Sequence, residues 1–160
     1  MNVRAGTPAD PAVAASAADG AKGLRPANLA MLVMLIIQYM LGAYVNLYVT
    51  VPKADAGQGI RTAIANGPAS ISAHAVFGIL LLVSAIIVVV RAVMARRGAH
   101  IALSSLGLIA VLGAAFTGAA FVNQGKDSSS MMMAVLTGVA LLCYLLRLYL
   151  LPAGRRASRS

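Results

Sequence analysis

"SAHAVFGILLLVSAIIVVVR", residues 72–91, decides the class of this protein. Between His74 and Arg91 every side chain is apolar, small or a single serine. As a helix, at about 1.5 Å per residue, a stretch of this length matches a hydrocarbon layer roughly 30 Å thick. Three further apolar runs have the same character, so spans are expected at about 28–51, 69–93, 101–122 and 130–151. The composition agrees. The 160 residues are 60% hydrophobic and only 11% charged, whereas a soluble domain carries about 25% charged residues. Lipid must solvate much of the surface. The expected fold is an all-α membrane protein, an up-down-up-down bundle of four transmembrane helices, because short connections make neighbouring helices antiparallel.

The net charge of +9 is spread unevenly. Of the thirteen Lys and Arg residues, only Lys53, Arg61 and Lys126 fall on the side of the 52–68 and 123–129 connections. The rest fall on the side of the two tails and the 94–100 loop. By the positive-inside rule both termini are cytoplasmic, in a membrane of the bacterial cytoplasmic type. The tails "LPAGRRASRS" and "RAVMARRG" read as topology anchors that attract anionic headgroups. No aromatic or motif accompanies the basic clusters, so nucleic acid is not an expected partner.

Residues 1–27 are rich in Ala, Pro, Gly and Asp and show no apolar face; they read as a disordered cytoplasmic tail. Residues 152–160 form a basic cytoplasmic tail. Ala54-Asp55-Ala56-Gly57 resembles a signal cleavage site, but the apolar run before it exceeds the usual core of about 7–15 residues. Span one is therefore expected to stay.

Several chemistries are excluded. The sequence has no Glu, and Asp10, Asp19, Asp55 and Asp127 lie in tails or loops. Proton-coupled cation export needs an intramembrane carboxylate that this chain does not have. No nucleophile-elbow pattern is present, and Ser84 has no base one turn away. His74 alone is no zinc site. The single cysteine, Cys143, cannot form an internal disulfide and reads as packing.

Helices in lipid associate through small and polar residues rather than through hydrophobicity. Such residues line Gln38, Gly42, Asn46 and Thr50 in span one, and Ala110, Ala114 and Gly118 in span three. In span four they run Met133, Thr137, Ala140, Tyr144, Arg147, with Arg147 read as a snorkelling boundary residue. His74, Tyr44, Asn46, Tyr48, Asn123, Gln124 and Met131–Met133 all fall near one end of the spans. Polar groups at membrane depth are the candidates for function. His100 falls at the other end, about 30 Å away along a helix.

Span one and its exit, "LGAYVNLYVTVP" (41–52), with "HAVFG" (74–78) and "VLGAAFTG" (111–118), resemble one four-helix half of the heme A synthase family, over roughly Leu41 to Leu146. Ile71 stands where the family has glutamate, Ala75 where it has arginine, and Asn46 where it has another arginine. "MMM" at 131–133 stands where the partner histidine is expected. The resemblance thus implies heme binding rather than heme modification. A b-type heme would take His74 and one of Met131, Met132 or Met133 as axial ligands, with Gly78 allowing close approach.

The leading expectation is a non-catalytic interaction or accessory module with membrane-protein or self-association partners. There His74 acts as internal glue, hydrogen-bonded to Asn46 or Asn123. Heme b binding is the alternative. Quinone or lipid binding among His74, Tyr44, Tyr48 and Gln124 is a third reading.

Overall fold

The computed structural model describes residues 11–49, 59–124 and 127–150. All the regular structure among them is helical: α1 (Pro11–Tyr48), α2 (Gly59–Asn66), α3 (Ala69–Met94), α4 (Gly98–Gln124) and α5 (Asp127–Leu150). Four segments are long and apolar enough to cross a membrane: Arg25–Tyr48, Ala69–Met94, Gly98–Gln124 and Ser128–Leu150. The second, which contains the quoted stretch, has the highest mean hydropathy, 2.8.

The four long helices pack in a ring, α1 on α3, α3 on α4, α4 on α5 and α5 back on α1. Side-chain pairings fix their directions. Gln38 meets His74 while Met34 meets Ser84, so α1 and α3 run oppositely. Tyr144 packs on Gly107 and Met133 on Gly118, so α4 and α5 do too. The α3–α4 connection is a tight turn in which Arg96 takes a left-handed conformation, φ 50°. The Ala95 and Arg96 amides return hydrogen bonds to the carbonyls of Arg91 and Val93.

The interior is built from Met31, Leu32 and Leu35 of α1, Leu81, Ala85 and Val88 of α3, Ala110 and Val111 of α4, and Ala140 and Tyr144 of α5. Large apolar side chains cover the outside as well: Leu47, Phe116 and Met131 are each at least 70% exposed. A surface apolar on all sides is costly in water and ordinary in lipid. Some hydroxyls inside the spans turn back on their own helices: Ser84 donates to the Leu80 carbonyl and Thr137 to that of Met133, each at 2.8 Å. Such bonds pair the donor within its own helix.

Two expectations are corrected. Residues 1–27 are not a disordered tail throughout, because α1 begins at Pro11 and passes through Pro26. Six alanines between residues 12 and 21 have the highest helix propensity, and extending an existing helix incurs no nucleation cost. Pro11 suits a first helical turn. Low hydropathy hid this propensity. The 52–68 connection, read as a loop, contains α2. Ala63 of α2 is buried, and Ser72 of α3 donates to the Ile64 carbonyl at 2.9 Å. Gly67 ends this helix against the Ala63 carbonyl, where any side chain would collide with backbone. Residues 1–10, 50–58 and the basic tail 152–160 lie outside the described residues.

Candidate functional site

The bundle has two polar ends. At the first, His74 lies in the second turn of α3, with its ring against α1. A Cβ on Gly42 would stand 3.0 Å from the His74 Cε1, so the ring occupies space that only glycine leaves open. One turn earlier on α1, the Gln38 amide nitrogen donates to the His74 backbone carbonyl at 3.2 Å and lies 3.3 Å from the ring Nε2. Gly78 makes the first bond accessible. It follows His74 by four residues, and a Cβ there would come within 3.1 Å of the Gln38 amide nitrogen. A glycine at this spacing uncovers a helical carbonyl for a second donor. His74 Nδ1 and Gln38 Oε1 are buried, and neither has a hydrogen-bond partner.

The remaining residues expected at this end are not gathered around His74. Asn46 Oδ1 accepts from Ser130 of α5 at 2.9 Å, closing the α1–α5 seam. Tyr44 stacks on Tyr48, ring centres 5.5 Å apart, and both are exposed. Asn123 and Gln124 are exposed. Thus the side chain that meets His74 is Gln38, not Asn46 or Asn123. Gln38 stands on the same face of α1 as Asn46, two turns away.

The methionines are likewise dispersed. Met131 and Met132 are exposed. The Met133 sulfur points at α4, 3.1 Å from where a Cβ on Gly118 would be. α3 and α5 face each other across the ring without forming a packed pair. The His74 ring is seated on α1 with Nε2 beside the Gln38 amide, while the Met133 sulfur lies against α4. As arranged, these residues do not fit an axial pair for heme. Among the described residues, no three His, Cys or acidic side chains group as a metal site requires.

The second end holds a cluster that sequence reasoning did not assemble. Asn28 of α1, His100 and Ser104 of α4, and Tyr144 and Arg147 of α5 are all buried. Arg147 is only 1% exposed. It therefore does not snorkel, since the α5 seam that carries Ala140 and Tyr144 turns it inward. Asn28 bridges two partners: its amide nitrogen donates to the Tyr144 carbonyl at 2.7 Å, and Arg147 Nη1 donates to its Oδ1 at 3.4 Å. The Tyr144 ring lies over Gly107, where a Cβ would approach it to 2.8 Å. Ser104 donates to the His100 carbonyl. Arg147 Nε, the Tyr144 hydroxyl and His100 Nδ1 are buried without partners. The signal was available: the small-and-polar stripe of span four ends on Arg147, and a residue on that stripe faces a neighbouring helix.

An all-helical chain with four membrane-length helices and one polar cluster at each end is the class this geometry defines. Comparison with protein-family models, with curated proteins and with solved structures finds no match.

Proposed function

We propose that this protein is a non-catalytic four-span membrane module, an interaction or accessory subunit whose polar residues at the His74 end fasten its own helices together. The observation that supports it most is the Gln38–His74 contact, with Gly42 and Gly78 shaped around it. An imidazole at membrane depth needs a partner, and here that partner is a neighbouring helix. The Asn46–Ser130 bond performs the same task on the α1–α5 seam. What remains outside is apolar, and it is available to lipid, to a membrane-protein partner or to a second copy.

In this reading the bundle crosses the cytoplasmic membrane up-down-up-down with both termini inside, which the distribution of Lys and Arg supports. A cysteine-accessibility scan tests it. With Cys143 replaced by alanine, single cysteines in the 52–68 connection label from outside, and those at 94–100 only from inside. The reverse result overturns the topology.

For function, the test is the purified protein from heme-supplied cells, examined by absorption and by thermal unfolding. The module reading expects a colourless preparation and a lower melting point for His74→Leu. A Soret band lost in His74→Ala would overturn it in favour of the heme reading. A melting shift on adding a quinone, absent in His74→Leu, would favour a ligand pocket, because a molecule bound only by the folded state stabilises it.

A further inference from the structure

The second polar end carries a charge that forms no ion pair among the described residues. Arg147 is 1% exposed, and its hydrogen bond among the described residues is a long one to a neutral amide, Asn28 Oδ1 at 3.4 Å. A guanidinium stays protonated in proteins, and a buried charge is costly unless it is paired. The sequence holds four carboxylate side chains. Asp127 begins α5, twenty positions before Arg147, about 30 Å away along the helix. Asp19 precedes Asn28 by nine positions, about 14 Å along α1. Asp10 and Asp55 lie outside the described residues.

Helix dipoles do not supply the missing charge. The ends of α3 and α5 each contribute roughly half a negative unit and the start of α4, at Gly98 beside His100, a similar positive one, which leaves only about half a unit against a full positive charge. Arg25, Arg96 and Arg97 add positive charge at the same end.

Three groups around Arg147 have hydrogen-bonding capacity to spare: its own Nε, the Tyr144 hydroxyl and His100 Nδ1. With Tyr144 over Gly107 on an antiparallel helix, Arg147 falls opposite Ser104, between the levels of Gly107 and His100. The nearest opening is one residue away from the cluster in sequence. An open groove lined by Arg25, Pro26, Leu29 and Leu148 lies along the α1–α5 seam, and Leu29 and Leu148 adjoin Asn28 and Arg147 in sequence. Arg147 stands three residues before the end of α5, within about 5 Å of it along the axis. That depth borders the headgroup layer.

We propose that the Arg147 end is an oxyanion site: a phosphate-type group enters beside α1 and α5, balances Arg147 and accepts from its guanidinium. The Tyr144 hydroxyl and His100 ring are the further donors. The planar fork of arginine matches phosphate oxygens. The same chemistry is offered by the phosphodiester of an anionic lipid and by free phosphate.

The test uses the full chain. Native mass spectrometry after delipidation asks whether phosphatidylglycerol is retained in preference to phosphatidylcholine. Melting in detergent against inorganic phosphate, with chloride at matched ionic strength, asks about the free ion. Retained phosphatidylglycerol identifies a lipid headgroup; a phosphate-specific rise in melting point identifies the free ion; either supports the site. In both assays Arg147→Gln is expected to bind at least about tenfold more weakly, the usual loss for a hydrogen bond to a charged group. Should that variant not fold, Arg147→Lys keeps the charge without the fork, and Tyr144→Phe removes a hydroxyl that bonds to nothing else here. Both should fold and bind several-fold more weakly. A purely packing role predicts unchanged binding in Tyr144→Phe. Absence of both phosphatidylglycerol retention and a phosphate-specific shift overturns the proposal, as does unchanged binding in Arg147→Lys and Tyr144→Phe.

Discussion

The two ends of the bundle use polar residues in opposite ways. At the His74 end the groups are neutral, and they meet across two seams: Gln38 with His74, and Asn46 with Ser130. At the Arg147 end a charge is enclosed by Asn28, Tyr144, Ser104 and His100, none of which is acidic. Neutral amides and hydroxyls can satisfy one another within one chain, so they fix helix contacts without calling for anything else. A buried cation cannot be satisfied that way. The first end is therefore fastened within the chain, with only His74 Nδ1 and Gln38 Oε1 left unpartnered, while the second is organised around a charge that forms no ion pair among the described residues.

The comparison predicts a ranking of mutational effects. The largest belongs to Asn28→Leu. It removes the donor to the Tyr144 carbonyl and the acceptor of Arg147 together, leaving the guanidinium without that acceptor. Stripping a partner from a buried charge costs about 3–5 kcal/mol. Unfolding in mixed micelles should show a loss near the lower figure, because Asn28 is neutral. A loss below about 1 kcal/mol, the size of an ordinary hydrogen bond, would mean that Arg147 does not depend on Asn28. Next comes Gly107→Val. A Cβ at this position would already stand 2.8 Å from the Tyr144 ring, and overpacking of this kind costs about 1–3 kcal/mol. Its signature is that Tyr144→Ala, which empties the contact, should relieve part of the penalty in the double variant.

How far these contacts were legible in the sequence follows from what each depends on. The four spans depend on composition alone, and their bounds differ from expectation by a few residues. The face of α1 was legible too, since Gln38, Gly42 and Asn46 recur at a spacing that lines one side of a helix. Depth was not. Whether His74 meets Asn46 or Gln38 depends on how far α1 slides along α3, and that is decided by packing such as Gly42 on the imidazole and Met34 on Ser84. Periodicity carries no information about such a slide. Arg147 failed for another reason. Its place near a span end suggested snorkelling, but the side-chain direction set by the Ala140–Tyr144 seam prevailed. The α1 extension was hidden because alanine is a strong helix former yet a weak apolar signal. The heme reading depended on residues near one another in depth, and depth alone does not direct Met131, Met132 or Met133 toward His74.

Smaller effects are expected at the His74 end. His74→Leu and Gln38→Leu each remove one side of the α1–α3 contact. In a double-mutant cycle their coupling should fall near 0.6 kcal/mol and not above about 1.7, the range for interhelical hydrogen bonds in membranes. The cycle matters more than either single variant, because leucine also alters packing against Gly42 or Gly78. A coupling near zero would show that the two side chains share space without bonding, and the fastening role would pass to shape alone.

The smallest effect should come from Ser130→Ala. Its hydroxyl donates to Asn46 at the exposed edge of the α1–α5 seam, where water can replace either partner. An exchange with water leaves a net contribution at or below the low end of the usual range, about 0.5 kcal/mol. Moving the protein from micelles into a thicker bilayer provides the sharper measurement. If the edge then lies within hydrocarbon, water no longer substitutes, and the cost of Ser130→Ala should rise toward that of Gln38→Leu. If it stays at the lower value, the Asn46–Ser130 pair lies in the interface, and the hydrocarbon boundary falls between Asn46 and His74.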